Sequence, residues 1–428
     1  DIQRYLDRRP IQARPQTLRY RSAKFVRRYH RTAIAALIGF LVLIGGIFTT
    51  AREANKKEQA RQTQTATVGF IENILEKVDP DKKEGYSFTT KELIVAGLSE
   101  LQHLGTQPQV HADIMNDFGK IALNARLFDL ADSLHHQALL IQQNIPGNNN
   151  SDLSVTYTRI ATVLADKKDY QNATLQFLEA LTLDSQNHIA RNNLGELLYN
   201  QGKFKEAAEQ YSLAYQIAPN EVRYLRNIGA SFFNLSEWEK SKQAYLKSIE
   251  IEPYYNAFAS LATIFYTIDK DYLSAVNFYE NALELNDQDY DMWGYLASAL
   301  FAADPESPKA MEANQKAITL AEEHLEKLDP NDPYVHVVLA GYYGRAGNFA
   351  KVQYHLDKTF ESPNIDDLAF DIGYAYELMG ERSKALDYVE QAVDEGSLDI
   401  YILNEPAFES LRQSSYFKEN LASKLSTI

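Results

Sequence analysis

A pattern of small and aromatic residues returns every 34 residues through most of the chain. In two successive periods the returning residues are Gly195, Ala207 and Tyr211, then Gly229, Ser241 and Tyr245. A fixed period of this length is typical of folds in which one structural unit stacks on the next. Four successive blocks keep the period, and we count eight blocks between residues 112 and 397. The sequence therefore predicts a repeat protein.

The residue types predict that each unit is a pair of antiparallel helices. A small residue such as Gly195 lets the first helix approach its partner, and Ala207 is the reciprocal contact on the second helix. We expect the aromatic residue, Tyr211, to fill the space against the next unit. Glycine in the turn between the helices allows a positive φ. The candidates for this turn position are Gly202, Gly347 and Gly380. A single hairpin cannot bury its apolar face, so stacked hairpins form a continuous core.

These residues, in this spacing, resemble the tetratricopeptide repeat. The resemblance covers residues 112–397 and implies an all-α superhelix of about eight helical hairpins, with a concave face that binds peptides or protein segments. Two features depart from the family pattern. Arg191 stands where the family has Trp or Leu, and one block has a long second helix, Met311 to Leu328.

A single apolar run precedes the repeats. Residues 32–51 contain no charged side chain. As a helix, 20 such residues span roughly 30 Å, the thickness of a bilayer's hydrocarbon core. Seven Lys or Arg lie between Arg14 and Arg31, and four follow between Arg52 and Arg61. The positive-inside bias therefore predicts one transmembrane helix with a cytoplasmic N-terminus and extracytoplasmic (periplasmic) repeats.

The predicted organisation follows from these features. Residues 1–31 form a basic cytoplasmic segment, 32–51 the span, 52–111 a helical linker, 112–397 the repeats and 398–428 closing helices. Small residues four apart in the span, Ala35 with Gly39 and Gly45 with Thr49, are of the kind that lets two spans pack closely. A homodimer through the span is therefore left open.

Three segments outside the repeats show further resemblances. The opening DIQRYLDRRPIQARPQTLRYRSAKFVRRYHR resembles the tail that follows the catalytic domain in bacterial membrane-anchored serine/threonine protein kinases. The segment from Phe70 to Leu101 is similar to the extracytoplasmic linker of the same kinases. The segment from Leu403 to Leu421 resembles the closing helices of repeat arrays in bacterial sensor and regulator proteins. The resemblance implies an anchor and sensor whose catalytic domain lies outside this chain.

The chain itself offers no catalytic or cofactor motif. It has no glycine-rich loop with a strand lysine, no His-Arg-Asp loop and no Asp-Phe-Gly, so ATP and Mg²⁺ would belong to the kinase domain. Cysteine is absent, and the nine histidines show no metal-binding spacing. The net charge of -15 argues against a nucleic-acid partner. The alternatives are a membrane-tethered repeat scaffold without an enzyme, or the sensor half of a membrane-bound transcriptional regulator.

A peptide groove is the one site that the pattern predicts. In such repeats the second, fifth, ninth and twelfth positions of the first helix point into the groove. In the blocks that begin at residues 188 and 222, these positions give Asn192, Glu196, Tyr199, Arg223, Arg226 and Phe233. The two arginines, with Asn193 and Asn227, partly resemble the carboxylate clamp of chaperone-binding repeats. Thr158 and Thr162 stand where the clamp has Lys and Asn, so a generic protein or peptide ligand is the broader expectation.

Overall fold

The computed structural model describes residues 89–101, 108–147, 149–363, 365–395 and 404–425. Within these ranges it has nineteen α-helices and no β-strand, so the predicted all-helical repeat fold is confirmed. The predicted basic segment 1–31 and span 32–51 lie outside the described residues. Among the helices that are described, none is long and apolar enough to cross a bilayer. The chain divides into two compact units, 1–148 and 149–428.

The described residues of the first unit form α1 (Thr90–Leu101) and one hairpin, α2 (Pro108–Asn124) with α3 (Phe128–Gln143). Gly119 of α2 faces the ring of His135 so closely that a Cβ at this glycine would lie 2.4 Å from Cε1 of the imidazole. His135 Nδ1 also lies 2.9 Å from Asn116 Oδ1. Val110 of α2 packs with Leu98 of α1. The hairpin thus combines a small-residue contact with a buried polar one.

The second unit contains seven further hairpins. They are α4 (Asn150–Asp166) with α5 (Tyr170–Leu183), α6 (His188–Asn200) with α7 (Phe204–Ile217), α8 (Arg223–Asn234) with α9 (Trp238–Ile251), α10 (Tyr255–Ile264) with α11 (Tyr272–Leu285), α12 (Tyr290–Ala303) with α13 (Pro308–Lys327), α14 (Pro333–Arg345) with α15 (Phe349–Phe360), and α16 (Ala369–Leu378) with α17 (Arg382–Asp394). A π-turn, Phe265–Asp269, extends α10, and a 3₁₀ turn, Asp366–Leu368, precedes α16. The long second helix expected in one block is α13, which has 20 residues.

Most turns between paired helices place one residue in the left-handed region. Gly202, Gly347 and Gly380 have φ values of 74°, 69° and 80°, as the pattern predicts. The same position in other hairpins is held by residues that are not glycine. These are Arg126 with φ 58°, Lys168 with φ 63°, Ser236 with φ 56° and Lys270 with φ 53°, whereas the turn between α12 and α13 has no residue with a positive φ. The backbone of this turn is therefore fixed by the fold and not by the residue that occupies it.

The repeat tyrosines pack first against their own hairpin. A Cβ at Gly195 would lie 2.8 Å from the ring of Tyr211, and a Cβ at Gly229 would lie 2.8 Å from the ring of Tyr245. Tyr211 also packs with Ile228 of the next hairpin, in the same core cluster. The expected contact with the next unit is therefore present, but it is one of two. The glycine leaves a hollow in the first helix, and the ring fills it.

Polar side chains join successive hairpins. Asn187 caps α6 by accepting a hydrogen bond from the Ala190 backbone N–H at 2.9 Å. Its Nδ2 donates to Ser154 Oγ at 2.9 Å and to Thr158 Oγ1 at 3.1 Å in the preceding hairpin. The Ser154 hydroxyl in turn donates to the Ala180 carbonyl. One buried amide thus satisfies a helix end and ties two repeats together.

The chain after the last hairpin packs back onto the second unit. The described part contains a 3₁₀ turn Pro406–Phe408, α18 (Glu409–Arg412), a π-turn Phe417–Leu421 and α19 (Ala422–Leu425). Phe408, Leu411, Phe417 and Leu421 are buried in the core of the last two hairpins. This packing covers the apolar end that a terminal repeat leaves open.

Candidate functional site

The predicted groove residue Asn192 lies in a chain of amides between hairpins. Its Oδ1 accepts a hydrogen bond from Asn227 Nδ2 at 3.0 Å, and its Nδ2 donates to Asn193 Oδ1 at 3.1 Å. Asn193 Nδ2 continues the chain by donating to Thr162 Oγ1 at 3.2 Å. The two asparagines that resemble a carboxylate clamp therefore already bond to neighbouring repeats.

Glu196 and Tyr199 stand further along α6. Glu196 is exposed, and its charge adds to burial in raising the pKa of Tyr211. The Tyr199 hydroxyl accepts a hydrogen bond from Asn234 Nδ2 of α8 at 2.8 Å. The Tyr199 ring also meets Phe204 edge-on, with centroids 5.1 Å apart. Tyr199 therefore joins α6 to α8, while Glu196 keeps its carboxylate toward solvent.

The two predicted arginines of α8 have different surroundings. Arg223 pairs with Glu221 at 3.2 Å and stays half exposed. Arg226 pairs with Glu252 at 2.7 Å, and its guanidinium lies 4.0 Å from the ring centroid of Tyr254. Phe233, at the other end of α8, meets Trp238 edge-on at 5.3 Å. The six predicted residues thus lie on two neighbouring first helices, α6 and α8. Both arginines form ion pairs with nearby carboxylates.

A cavity lies further along the second unit, among the first helices of its last four hairpins. This cavity has a volume of about 440 Å³ and is lined by residues from α10, α12, α14 and α16. Glu405, after the last hairpin, also lines it. Six tyrosines supply most of its aromatic surface: Tyr266, Tyr279, Tyr295, Tyr334, Tyr342 and Tyr374. We call this feature the tyrosine cavity.

Arg345 of α14 is the cation of the tyrosine cavity. Its Nε donates to Asn314 Oδ1 at 2.9 Å, and its Nη1 donates to Ser298 Oγ and, at 3.2 Å, to the Tyr374 hydroxyl. Its guanidinium lies 5.1 Å from the Tyr342 ring centroid. Nη2 is buried and has no hydrogen-bond partner in the described part of the chain. A buried donor left in this way is rare, because it costs about 1–3 kcal/mol of desolvation.

Glycines let the tyrosine rings reach the cavity wall. A Cβ at Gly294 of α12 would lie 2.5 Å from Cε1 of Tyr342 in α14. A Cβ at Gly341 would lie 3.3 Å from the ring of Tyr374 in α16. Each ring therefore rests on the backbone of the preceding first helix, and its hydroxyl is held by a polar side chain, Asp291 for Tyr342 and Arg345 for Tyr374.

Four carboxyl groups line the tyrosine cavity, those of Asp291, Asp367, Asp371 and Glu405. Asp291 Oδ1 accepts a hydrogen bond from the Tyr342 hydroxyl at 3.2 Å, while burial and the charge of Asp289 raise its pKa to about 6. Burial and the charge of Asp291 raise the pKa of Asp371 to about 7. Both oxygens of Glu405 lie 3.1 Å from the Tyr266 hydroxyl, and burial raises the pKa of this carboxyl. The pocket is thus acidic, with two carboxyl groups that titrate near neutral pH.

The positional rule that gave the predicted groove also finds the tyrosine cavity when it is applied to later repeats. The second, fifth and ninth positions of the first helices in the last three blocks are Asp291, Gly294 and Ser298, then Tyr334, Val337 and Gly341, then Asp367, Phe370 and Tyr374. All nine line the cavity. The predicted groove is limited to the blocks at 188 and 222 and therefore does not include this site. Arg345 and Glu405 stand outside those positions, and only the packing reveals them.

Among the described residues, no group of three or more His, Asp or Glu side chains is placed to hold a metal ion. The two buried imidazoles of α14 and α15, His336 and His355, face each other with their Nδ1 atoms 2.9 Å apart. They are a structural pair between the helices of one hairpin.

Comparisons with known proteins agree with the repeat pattern. The family described as tetratricopeptide repeat matches residues 158–222. Human protein O-mannosyl-transferase TMTC3 is 26% identical over 165 residues, which cover 35% of this chain and 18% of that protein. The mouse BBSome complex member BBS4 is 28% identical over 143 residues, covering 33% of this chain and 25% of that protein. The chain thus spans a quarter or less of these relatives.

Solved structures of similar helical arrangement include two bacterial proteins. Pseudomonas aeruginosa pilF is 20% identical, covers 52% of this chain and 93% of its own, and has a TM-score of 0.43. The C-terminal part of a repeat-containing protein from Cytophaga hutchinsonii is 17% identical, covers 64% of this chain and 98% of its own, and has a TM-score of 0.44.

Proposed function

We propose that this chain, which is a tetratricopeptide-repeat protein, binds a segment of a partner protein along the first helices of its repeats. The tyrosine cavity is the observation that carries this proposal. Much of its wall is built from the first-helix positions that such repeats use for ligands, and it holds an unsatisfied donor and half-buried carboxyl groups. Pockets of roughly 300–1,000 Å³ with a few convergent polar groups are typical of binding sites.

The size of the cavity indicates which part of a partner it receives. A volume of about 440 Å³ suits the end of an extended chain and not a folded domain. The rest of the segment would continue along the first helices toward α8 and α6, where the predicted residues Arg223, Glu196 and Tyr199 remain partly or fully exposed. This part of the proposal keeps the predicted groove as the extension of the cavity.

The role of such binding in the cell is a further part of the proposal. The opening 31 residues resemble the tail of membrane-anchored serine/threonine kinases, and residues 32–51 have the length and apolarity of a membrane span. We propose that the repeats form the periplasmic sensor of such a kinase, anchored in the inner membrane. A ligand would then act by changing the association or orientation of the chains.

Two experiments test the anchor and its direction. Membranes that carry the full chain are extracted with alkaline carbonate, beside a variant that lacks residues 32–51. Retention of the full chain and release of the variant are expected. Protease added to intact spheroplasts is expected to digest the repeats and spare the N-terminal segment, and protected repeats would contradict the periplasmic location.

The kinase part has a separate test in the coding sequence upstream of Asp1. An in-frame kinase domain with a His-Arg-Asp loop and an Asp-Phe-Gly motif is expected. A start codon close to Asp1 would instead favour the tethered scaffold, and a DNA-binding domain would favour the transcriptional regulator.

A further inference from the structure

We propose that the tyrosine cavity binds the free ammonium group of its ligand, with Asp291 and Asp371 as counter-charges and Arg345 as donor to an oxygen of the same ligand. The inference rests on the proposed function, because it names the chemical group that the cavity receives. Two sources offer an ammonium together with an acceptor oxygen. One is the N-terminal residue of a peptide, and the other is a free amino acid or a similar small zwitterion.

The charges in the cavity favour a cationic ligand group. The lining holds four carboxyl residues, Asp291, Asp367, Asp371 and Glu405, and one cation, Arg345, so carboxyl groups are in excess. In the part of the chain that the structure describes, neither Asp291 nor Asp371 forms an ion pair with Lys or Arg, and His324 is the one basic side chain that acts on Asp291. The negative charge of Asp291 repels the negative charge of an ionised Asp371. An ammonium between two such groups removes their repulsion and lets both ionise.

The walls favour the same group. The face of a tyrosine ring attracts a cation because its quadrupole is negative above the plane. The chain already uses this attraction here, since the Arg345 guanidinium lies 5.1 Å from the Tyr342 centroid and 6.0 Å from the Tyr374 centroid. Tyr334 and Tyr295 bring further rings to the side of the cavity that holds Asp291. An alkyl ammonium meets both carboxylates and ring faces in this space.

Arg345 supplies the second point of recognition. Three of its donor contacts are made by Asn314, Ser298 and Tyr374, which hold the guanidinium in place. Nη2 is the donor that these contacts leave unused. A carbonyl or carboxylate oxygen of the ligand would satisfy it, and a charge-assisted bond of this kind is about twice as strong as a neutral one. A ligand with an ammonium alone would leave this donor unsatisfied.

The test compares matched probes on the full chain in detergent, by isothermal titration at pH 8. The peptide probes are Leu-Gly-Gly and N-acetyl-Leu-Gly-Gly, which differ in the ammonium. The small probes are 4-aminobutanoate, butylamine and butanoate, which separate the two charged ends. We expect acetylation of the peptide to weaken binding at least tenfold, and 4-aminobutanoate to bind more tightly than either probe with a single charge.

Two variants accompany the wild type. Asp371→Asn keeps the shape of the side chain and removes its charge, so we expect it to remain folded and to weaken Leu-Gly-Gly at least tenfold. Glu312→Gln makes the same change of net charge at an exposed position of α13, outside the tyrosine cavity, and should bind like the wild type. Circular dichroism melts of both variants confirm that the fold is intact.

The outcomes separate the inference from the proposed function. Equal binding of the free and acetylated peptides would overturn the ammonium inference and leave segment binding in place. Binding of 4-aminobutanoate that Asp371→Asn abolishes, without binding of either peptide, would support the ammonium chemistry and reject the partner segment. Binding of none of the probes, or unchanged binding by Asp371→Asn, would overturn the inference.

Discussion

Lys168, Ser236 and Lys270 occupy the left-handed position of turns in which three other hairpins have glycine. A side chain in this region costs roughly 1 kcal/mol, which glycine avoids. We expect Ser236→Gly to raise the free energy of unfolding by about 0.5–1 kcal/mol, and Gly202→Ser in the preceding hairpin to lower it by a similar amount. Urea titrations of both variants check this exchange. If both variants raised, or both lowered, the free energy of unfolding, the turn conformation would not be the cause of the change.

The buried pair His336 and His355 makes the stability depend on pH at the scale of single residues. His336 Nε2 lies 3.1 Å from the Pro330 carbonyl, which only accepts, so His336 Nδ1 accepts a hydrogen bond from His355. Burial and the charge of His336 lower the pKa of His355 to about 4. The stability that comes from neutral His355 is complete above the unfolded pKa of about 6.5 and is lost as the pH falls toward 4.

The histidine pair predicts how the stability of the protein changes in acid. The wild type should lose about 2 kcal/mol through His355 between pH 6.5 and 4.5. His355→Phe should be less stable than the wild type at pH 8, because His336 Nδ1 loses its donor, and this difference should shrink at pH 4.5. Thermal melts at both pH values measure it. A difference that is the same at both would contradict the assigned pKa shift.

At the scale of helices, the side chains that cap a helix differ in how many elements they join. Asp169 caps α5 through the Asn172 backbone N–H at 3.3 Å, within its own hairpin. Asn187 caps α6 and also donates twice to α4. We expect Asp169→Ala to cost about 1 kcal/mol and Asn187→Ala to cost about 2–3 kcal/mol. Urea titrations of both variants measure the difference, and equal costs would show that the bonds between repeats add nothing.

The sequence predicts the elements better than it predicts their contacts. The 34-residue period locates the hairpins, and the glycine turns at 202, 347 and 380 have the expected φ. Tyr211 packs with Ile228 of the next repeat, as the pattern predicts, and also rests on Gly195 of its own, which the period alone does not predict. Arg226, which the pattern predicts for the groove, also pairs with Glu252 directly after α9, and the period does not predict this ion pair. Such pairings depend on side-chain directions that the period does not contain.

At the scale of the second unit, the tyrosine cavity needs residues that are far apart in the chain. The Tyr266 hydroxyl bonds to Glu405, which lies 139 residues later. The carboxyl groups of the cavity come from different hairpins and affect each other only after the hairpins stack. The positional rule recovers nine of the lining residues, but the buried donor of Arg345 and the contact of Glu405 follow only from the three-dimensional arrangement.

The cavity carboxyl groups give a dependence of stability on pH that is opposite in sign to that of His355. The pKa of Asp371 rises from an unfolded value of about 3.8 to about 7, so its burial destabilises the fold progressively as the pH rises from about 3.8 to 7, and the loss is complete above 7. Asp291, with Asp289, His324, Tyr334 and Tyr342 around it, acts in the same direction near pH 6. In the wild type, the stability that these carboxyl groups remove as the pH rises partly cancels the stability that neutral His355 adds.

One variant separates the effect of Asp371 on stability from that of His355. Asp371→Asn removes the charge, so we expect it to raise the melting temperature relative to the wild type at pH 8 and to change it much less at pH 5. Glu312→Gln serves as the control and should shift neither value. Calorimetry at the two pH values measures this, and an equal shift by Asp371→Asn at both would contradict the burial of an ionised Asp371.

The central claim is that ligands enter among the first helices of the last repeats. Hydrogen exchange of the full chain, with and without saturating Leu-Gly-Gly, tests it most directly. We expect added protection in α12, α14 and α16 of the wild type, and none with Asp371→Asn. Protection confined to α6 and α8, or none in a protein that binds the peptide, would contradict the claim and move the site away from the tyrosine cavity.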